Sequence, residues 1–221
     1  MDSHDLVTSF VQLYYGIMEN EQFTQSDNVK FCPHLLVFCG LVVDRDVGTK
    51  ASVLAQRIIQ TMNVKKKFAV YKDLLNIDCI EAFKAVSIPK PKWFTMFFSI
   101  ITENIKHDCD ISSIQGLCMK STEELTGLVV PMFFKTIESG EIELSATYLG
   151  FFRVIVNIIT SSKACSAFPS GKHIIREFRN LAEKSEDKLN LVEGSVSEDQ
   201  LHEVDILKFN LKNLRSDLAV A

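Results

Sequence analysis

The chain has 221 residues, of which 47% are hydrophobic, and its net charge at pH 7 is −4. This apolar content is enough for one sizeable core or two small ones, and it excludes disorder over most of the length. Nine glycines and five prolines are too few for the frequent tight turns of an all-β sandwich or barrel.

Export and membrane insertion are also disfavoured by the sequence. The N-terminal segment lacks a cationic stretch followed by an apolar run, so we expect no signal peptide. The most apolar stretches, such as residues 148–159, are each shorter than the roughly 18–20 residues of a membrane span. Six cysteines occur singly in apolar surroundings, which is typical of buried, reduced thiols. We therefore expect a cytoplasmic or nuclear protein that is not secreted and has no membrane span.

In the N-terminal part, apolar spacing predicts helices separated by short polar segments. Pro33 is compatible with the first turn of a buried helix, and residues 44–48 are expected to form a turn before Thr49, which can cap the next helix. The helices expected in this part are residues 6–17, 31–43, 49–62, 68–75 and 80–86.

The middle of the chain is divided by two prolines within residues 87–91, which stop helix formation and mark a sub-boundary. A strongly aromatic helix is expected over residues 93–107. Ser121 and Glu124 have the spacing of a capping box, which would open a further helix. We expect Pro131 to kink or split that helix.

In the C-terminal part, residues 145–161 are apolar nearly all round and are expected at the centre of the core. A helix over residues 172–184 ends the helical core domain, which we assign to residues 1–184. Residues 185–196 are polar and are predicted to be a linker before an amphipathic helix at residues 197–221. The predicted fold is all-α: a single multi-helix globular bundle with a tethered amphipathic C-terminal helix.

Charge is unevenly distributed along the chain. Residues 1–49 carry two basic and seven acidic groups, a net −5, whereas residues 50–106 carry ten basic and four acidic groups, a net +6. Aromatic residues are interleaved with the lysines of the second block, and this pairing is typical of single-stranded nucleic-acid binding by phosphate neutralisation and base stacking. The alternatives are ordinary solvated helix faces, or contact with an acidic partner, including the acidic ends of this chain. The lysines concerned are Lys65, Lys66, Lys67, Lys72, Lys90 and Lys92.

The C-terminal helix carries an apolar seam with a strict three-four spacing, the kind used in coiled coils and helix-in-groove pairing. Ile206 and Phe209 widen its apolar surface. Two partners for the seam are possible at this point. It docks on its own domain, or it docks on another subunit, which the linker would allow it to reach. The seam consists of Val204, Leu207, Leu211, Leu214 and Leu218.

The sequence contains no strong motif for metal binding, phosphate binding or nucleophilic catalysis. The pairs Cys32/His34 and His107/Cys109 have one-residue gaps, unlike the two-to-five-residue gaps of zinc modules. The sequence Ser170-Gly171-Lys172 resembles the end of a phosphate-binding loop, but the required upstream glycine and the following Ser or Thr are absent. No nucleophile motif accompanies the five histidines. We therefore predict no catalytic residue, no cofactor and no metal.

Two functional hypotheses follow. The first is a non-enzymatic assembly or adaptor protein that acts through protein–protein contacts, with a protein partner or with itself as a homo-oligomer. The second is a nucleic-acid-binding assembly protein, nucleoprotein-like or capsid-like by analogy of fold alone, that uses the basic segment 50–106. An enzyme whose site is assembled from distant residues is a minor third hypothesis.

Overall fold

The computed structural model describes residues 45–76, 89–193 and 198–221, and every regular element within these ranges is an α-helix. The predicted all-α class is confirmed. The helices predicted over 6–17, 31–43 and 80–86 lie outside the described residues. The described helices are α1 (Arg45–Thr61), α2 (Val64–Leu75), α3 (Lys90–Cys109), α4 (Gln115–Glu138), α5 (Ile142–Ser161), α6 (Lys163–Ala167), α7 (Pro169–Glu193) and α8 (Glu198–Val220).

The described residues divide into two compact units, and the division falls between Ile100 and Ile101, inside α3. The sub-boundary expected from the sequence was at residues 87–91, where two prolines interrupt the helical pattern. Pro91 instead lies in the first turn of α3, where its missing N–H group would have had no helical partner. The helix therefore begins at Lys90, three residues before the predicted start, and the backbone N–H of Trp93 donates to the Pro89 carbonyl at 3.1 Å.

The first unit contains α1, α2 and the first half of α3. Its core is aromatic: the rings of Tyr71 and Phe97 lie 6.4 Å apart edge to face, and both side chains are buried. The predicted turn at residues 44–48 is wrong over 45–48, because α1 begins at Arg45 and runs through Gly48 and Thr49. A glycine inside a helix costs about 1 kcal/mol, which the rest of a helix offsets.

The second unit contains a four-helix bundle of α4, α5, α7 and α8. Helices α4 and α5 form an antiparallel hairpin, in which the hydroxyls of Thr136 and Ser145 lie 2.8 Å apart. Glu138 pairs with Lys188, and Glu123 lies 3.7 Å from His173, so α7 runs parallel to α4. Short α6 leads from the end of α5 into α7.

Helix α8 completes the bundle between α5 and α7. It runs antiparallel to α7, because Arg179 donates to the Leu218 carbonyl and Arg215 donates to the Ala182 carbonyl, each at 3.0 Å. On the other side, Arg153 of α5 forms a 2.8 Å ion pair with Asp217 of α8. The four helices enclose one core. The neighbouring pairs α4–α5 and α7–α8 are antiparallel, and the neighbouring pairs α4–α7 and α5–α8 are parallel.

Helix α5 lies at the centre of this core, as predicted from its apolar composition. The rings of Phe133, Phe152 and Phe178, from three different helices, have neighbouring centroids 5.5 and 4.8 Å apart. The helix is long and apolar enough to cross a membrane, but 61% of the relevant window is buried inside the protein. Its hydrophobicity is therefore used for packing in this structure.

Two local predictions are corrected in α4. The helix begins at Gln115, so Ser121 and Glu124 lie inside it and form no capping box. Thr122 donates its hydroxyl to the Cys118 carbonyl at 2.8 Å, the bond by which a threonine is tolerated inside a helix. The helix also continues through Pro131, so the predicted split is wrong.

The predicted linker over 185–196 is wrong for residues 185–193, which continue α7, while residues 194–196 lie outside the described residues. Its polar composition reflects an amphipathic helix rather than a loop. Ser185 is fully buried and donates to the Leu181 carbonyl at 2.6 Å, and Leu189 is 1% exposed. Glu186 pairs with Arg215 of α8 at 2.6 Å.

Gly171, in the first turn of α7, permits close packing on α6. A Cβ atom built at this position would lie 2.3 Å from the backbone oxygen of Cys165. Since that neighbour is backbone, it cannot move without shifting α6. The glycine therefore has a packing role.

We predict that Gly171→Ala lowers the free energy of unfolding by about 1–3 kcal/mol, the usual cost of overpacking. Gly150→Ala, in the middle of α5, is the matched control: its Cβ would meet nothing within 4 Å. The control should be neutral or slightly stabilising, because alanine is the better helix former. Urea unfolding followed by circular dichroism measures both, and equal effects would contradict the packing role.

Candidate interaction surfaces

The lysines of the basic segment are not equivalent in the structure. Lys65 and Lys66 lie in the first turn of α2, not in the inter-helix turn expected from the sequence, and both are exposed. The helix extends this far because the Asn63 side chain caps it, accepting from the Lys66 backbone N–H at 3.0 Å. Lys72 is also exposed, but Lys67 is only 2% exposed. Lys67 therefore does not lie on the exposed surface of α2, and its role as a contact residue stays a prediction.

Lys90 and Lys92 are exposed in the first turn of α3. Neither α2 nor α3 has an acidic residue in its first turn. The N-terminal end of a helix already carries a partial positive charge, and lysines there add to it. The two helix starts are thus electropositive.

The aromatic residues interleaved with these lysines do not face solvent. Phe68 is 4% exposed, Trp93 is fully buried and Phe94 is 2% exposed. Their rings pack on one another and on Phe97, as in the stacked Trp93–Phe97 pair at 6.3 Å. The base-stacking element of the nucleic-acid hypothesis is therefore wrong for these rings, because the hydrophobic core takes them.

Three cysteines of the second unit are buried thiols. The Sγ atoms of Cys109 and Cys118 lie 3.9 Å apart, and Cys165 is also buried. The hydrogen bond with Cys118, together with burial, raises the pKa of the Cys109 thiol well above its usual range, so it stays protonated. The neighbouring His107 side chain is 51% exposed, so Cys109 and His107 do not converge. Cys32, His34, Cys39 and Cys79 lie outside the described residues.

The start of α7 forms an open cleft of about 530 Å³ rather than a phosphate-binding loop. Lys172, His173 and Arg176 line it, but so does the carboxylate of Glu123, 3.7 Å from His173. Gly171 faces α6 and serves packing, as described above. The resemblance of this segment to a nucleotide-binding loop therefore does not extend to its geometry.

The apolar seam of α8 is occupied by the protein's own second unit. All five of its residues are at most 4% exposed, and the helix packs on α5 and α7. Of the two partners that the sequence left possible for the seam, the structure shows the protein's own domain. The predicted partner seam of Val204, Leu207, Leu211, Leu214 and Leu218 is therefore not accessible to another subunit while α8 is docked.

The opposite side of α8 carries a second apolar feature. Phe209 is 63% exposed and Ile206 is 45% exposed, one helical turn apart. The exposed charges Asp205 and Lys212 flank them. We call these four residues the outer face of α8. From spacing alone, both apolar residues were expected to widen the seam, because spacing does not show which face of the helix the bundle buries.

Comparison with known protein families, with curated proteins and with solved structures gave no match.

We predict that the two sides of α8 respond differently to truncation. Leu214→Ala should lower the free energy of unfolding by about 2–5 kcal/mol, because it leaves a cavity in the core. Phe209→Ala should change it by about 0.5 kcal/mol or less, as expected for an exposed residue. Chemical denaturation of both variants measures the difference, and a large loss of stability at Phe209 would mean that its ring is covered.

Proposed function

We propose that this protein is a non-enzymatic assembly or adaptor protein that acts through protein–protein contacts, with self-association as the main mode. The observation that carries the proposal is the outer face of α8, where Phe209 presents 63% of its surface to solvent on a rigidly docked helix. The proposal keeps the first hypothesis from the sequence but moves the contact surface to the other side of the helix.

The exposure of Phe209 favours this proposal on energetic grounds. Burial of apolar surface contributes about 25 cal/mol per Å², and aromatic side chains dominate interface energetics. Isolated exposed apolar residues are ordinary on protein surfaces. Here, however, the largest of them stands one turn from Ile206, so a partner would cover both together.

The position of α8 adds a second argument. Its seam and the arginine contacts to α5 and α7 fix the helix at both sides, so the outer face is held in one orientation. A rigid surface loses little conformational entropy on binding. This favours a contact surface over an incidental exposed residue.

We predict that the full chain forms species larger than its 25.0 kDa monomer in a concentration-dependent manner. Phe209→Glu should weaken this association about tenfold or more, because it places a charge where an apolar contact is needed. Sedimentation velocity over a concentration series measures the change.

Leu128→Glu is the matched control for this prediction. Leu128 is 45% exposed on α4, outside the outer face of α8, and its substitution adds the same charge. We expect it to leave the association unchanged. An equal effect of both variants would mean that net charge, and not the outer face, controls association.

As a second candidate we propose a nucleic-acid-binding assembly protein, supported by the lysines at the two electropositive helix starts of the first unit. Because the interleaved rings are buried, binding would proceed through phosphate contacts alone. Such binding would be largely independent of sequence and strongly dependent on salt.

The second candidate predicts that alanine at Lys65, Lys66 and Lys72 weakens binding to single-stranded RNA about equally for all sequences. The slope of log K against log salt should become shallower by about 2, since each phosphate contact contributes about 0.7. A variant with alanine at the exposed Lys120, Lys135 and Lys163, all outside the basic segment, has the same net charge and should keep the original slope. Fluorescence anisotropy at several salt concentrations separates these outcomes, and absence of binding at low salt would eliminate this candidate.

We also propose that the protein works in the cytoplasm or nucleus. The support is the set of three buried free thiols, which suits a reducing compartment.

A further inference from the structure

The two charges on the outer face of α8, Asp205 and Lys212, are too far apart to pair with each other within one helix. Asp205 and Lys212 are seven residues apart, which is two helical turns. They therefore lie on the same side of the helix, about 10 Å apart along its axis, with Phe209 between them in the chain. This is too far for an ion pair within the helix, which requires a spacing of three or four residues. Both side chains are exposed.

The same spacing is complementary to itself when a second helix runs in the opposite direction. In an antiparallel pair, the positions that flank the apolar contact lie beside the same heptad positions of the other helix, with their numbers running in opposite senses. Asp205 of each helix then meets Lys212 of the other, and two identical ion pairs flank the contact. Phe209 lies near the twofold axis, where the two rings meet.

We propose that the outer face of α8 is a homodimer interface, in which the α8 helices of two copies pack antiparallel around Phe209 with reciprocal Asp205–Lys212 pairs. This inference rests on the proposed function and specifies its partner as a second copy of the chain. Each copy presents the same patch, as a twofold interface requires.

The neighbouring residues fit this register. His202 and Ser216 are seven residues before and after Phe209, and both are exposed. In the register that pairs Asp205 with Lys212, each His202 lies about one residue, or roughly 1.5 Å along the axis, from the level of the small Ser216 of the other copy. A parallel pair would instead place Asp205 level with Asp205 and Lys212 level with Lys212, which like-charge repulsion disfavours.

The size of the patch sets the expected strength. One face of a helix with two large apolar residues per copy is at the lower end of specific interfaces, so the dimer should be weak and concentration-dependent. The flanking ion pairs are exposed at the rim, where they control register more than affinity. Raising the salt concentration should therefore weaken the dimer only modestly.

Charge reversal tests the register directly. Asp205→Lys and Lys212→Asp should each raise the dimer dissociation constant about tenfold, because each change occurs twice and converts two attractions into repulsions. The double variant, Asp205→Lys with Lys212→Asp, should return the constant to within about threefold of the original, since the pairs are restored with opposite polarity. Sedimentation equilibrium of the full chain measures all three.

Lys120→Asp, on the exposed side of α4, is the control for a change of charge alone and should leave the constant unaffected. Circular dichroism of each variant checks that the helices are intact. The antiparallel register is supported only if both single variants weaken the dimer and the double variant restores it.

The remaining outcomes separate this inference from the proposed function. A dimer that Phe209→Glu dissociates but charge reversal does not affect overturns the antiparallel register and leaves the proposed self-association in place. A chain that remains monomeric at every concentration overturns both the homodimer and self-association. The outer face would then bind a different protein and not a second copy of the chain. A dimer that none of these variants affects places the interface elsewhere and also overturns the inference.

Discussion

The docking of the α8 seam between α5 and α7 is the interaction on which the rest of the second unit depends. Leucines at three- and four-residue intervals are buried on one side of the helix, and arginines bond across to both neighbours. Without this helix, the apolar faces of α5 and α7 would be left uncovered. The docked seam also determines which residues of α8 face outward, and so connects packing with the proposed function.

The structure divides the amphipathic C-terminal segment into two chemical surfaces. The inner one is uniformly aliphatic and buried, as a core requires. The outer one has a single large ring, a neighbouring isoleucine and charges of both signs. That combination of an apolar centre and a polar rim is typical of a protein contact. The basic helix starts of the first unit lack such a centre, because their aromatic neighbours belong to the core.

Prediction from sequence worked best where one physical factor dominated. Helix α5 is apolar nearly all round, and in a folded bundle such a helix is stable at the centre of the core, so both its type and its place were predictable. Prediction was wrong where tertiary contacts changed the meaning of a local signal. The polar stretch 185–193 looked like a linker, but Ser185 and Leu189 face the core while Lys188 and Glu186 pair across to neighbouring helices. Ser121 and Glu124 looked like a capping box because the preceding turns of α4 have no strong local signal.

The helical class follows from the amino-acid sequence, because apolar side chains recur at intervals close to 3.6 residues and the residues that favour tight turns are few. The sequence also defines which residues of α8 form the apolar seam, since that spacing is a property of one helix. The packing of the helices against one another is what covers the seam, turns Lys67 and the aromatic residues near it inward, and leaves Phe209 exposed. The physical reason is that periodicity defines the faces of a helix, whereas burial depends on which other helices pack against them.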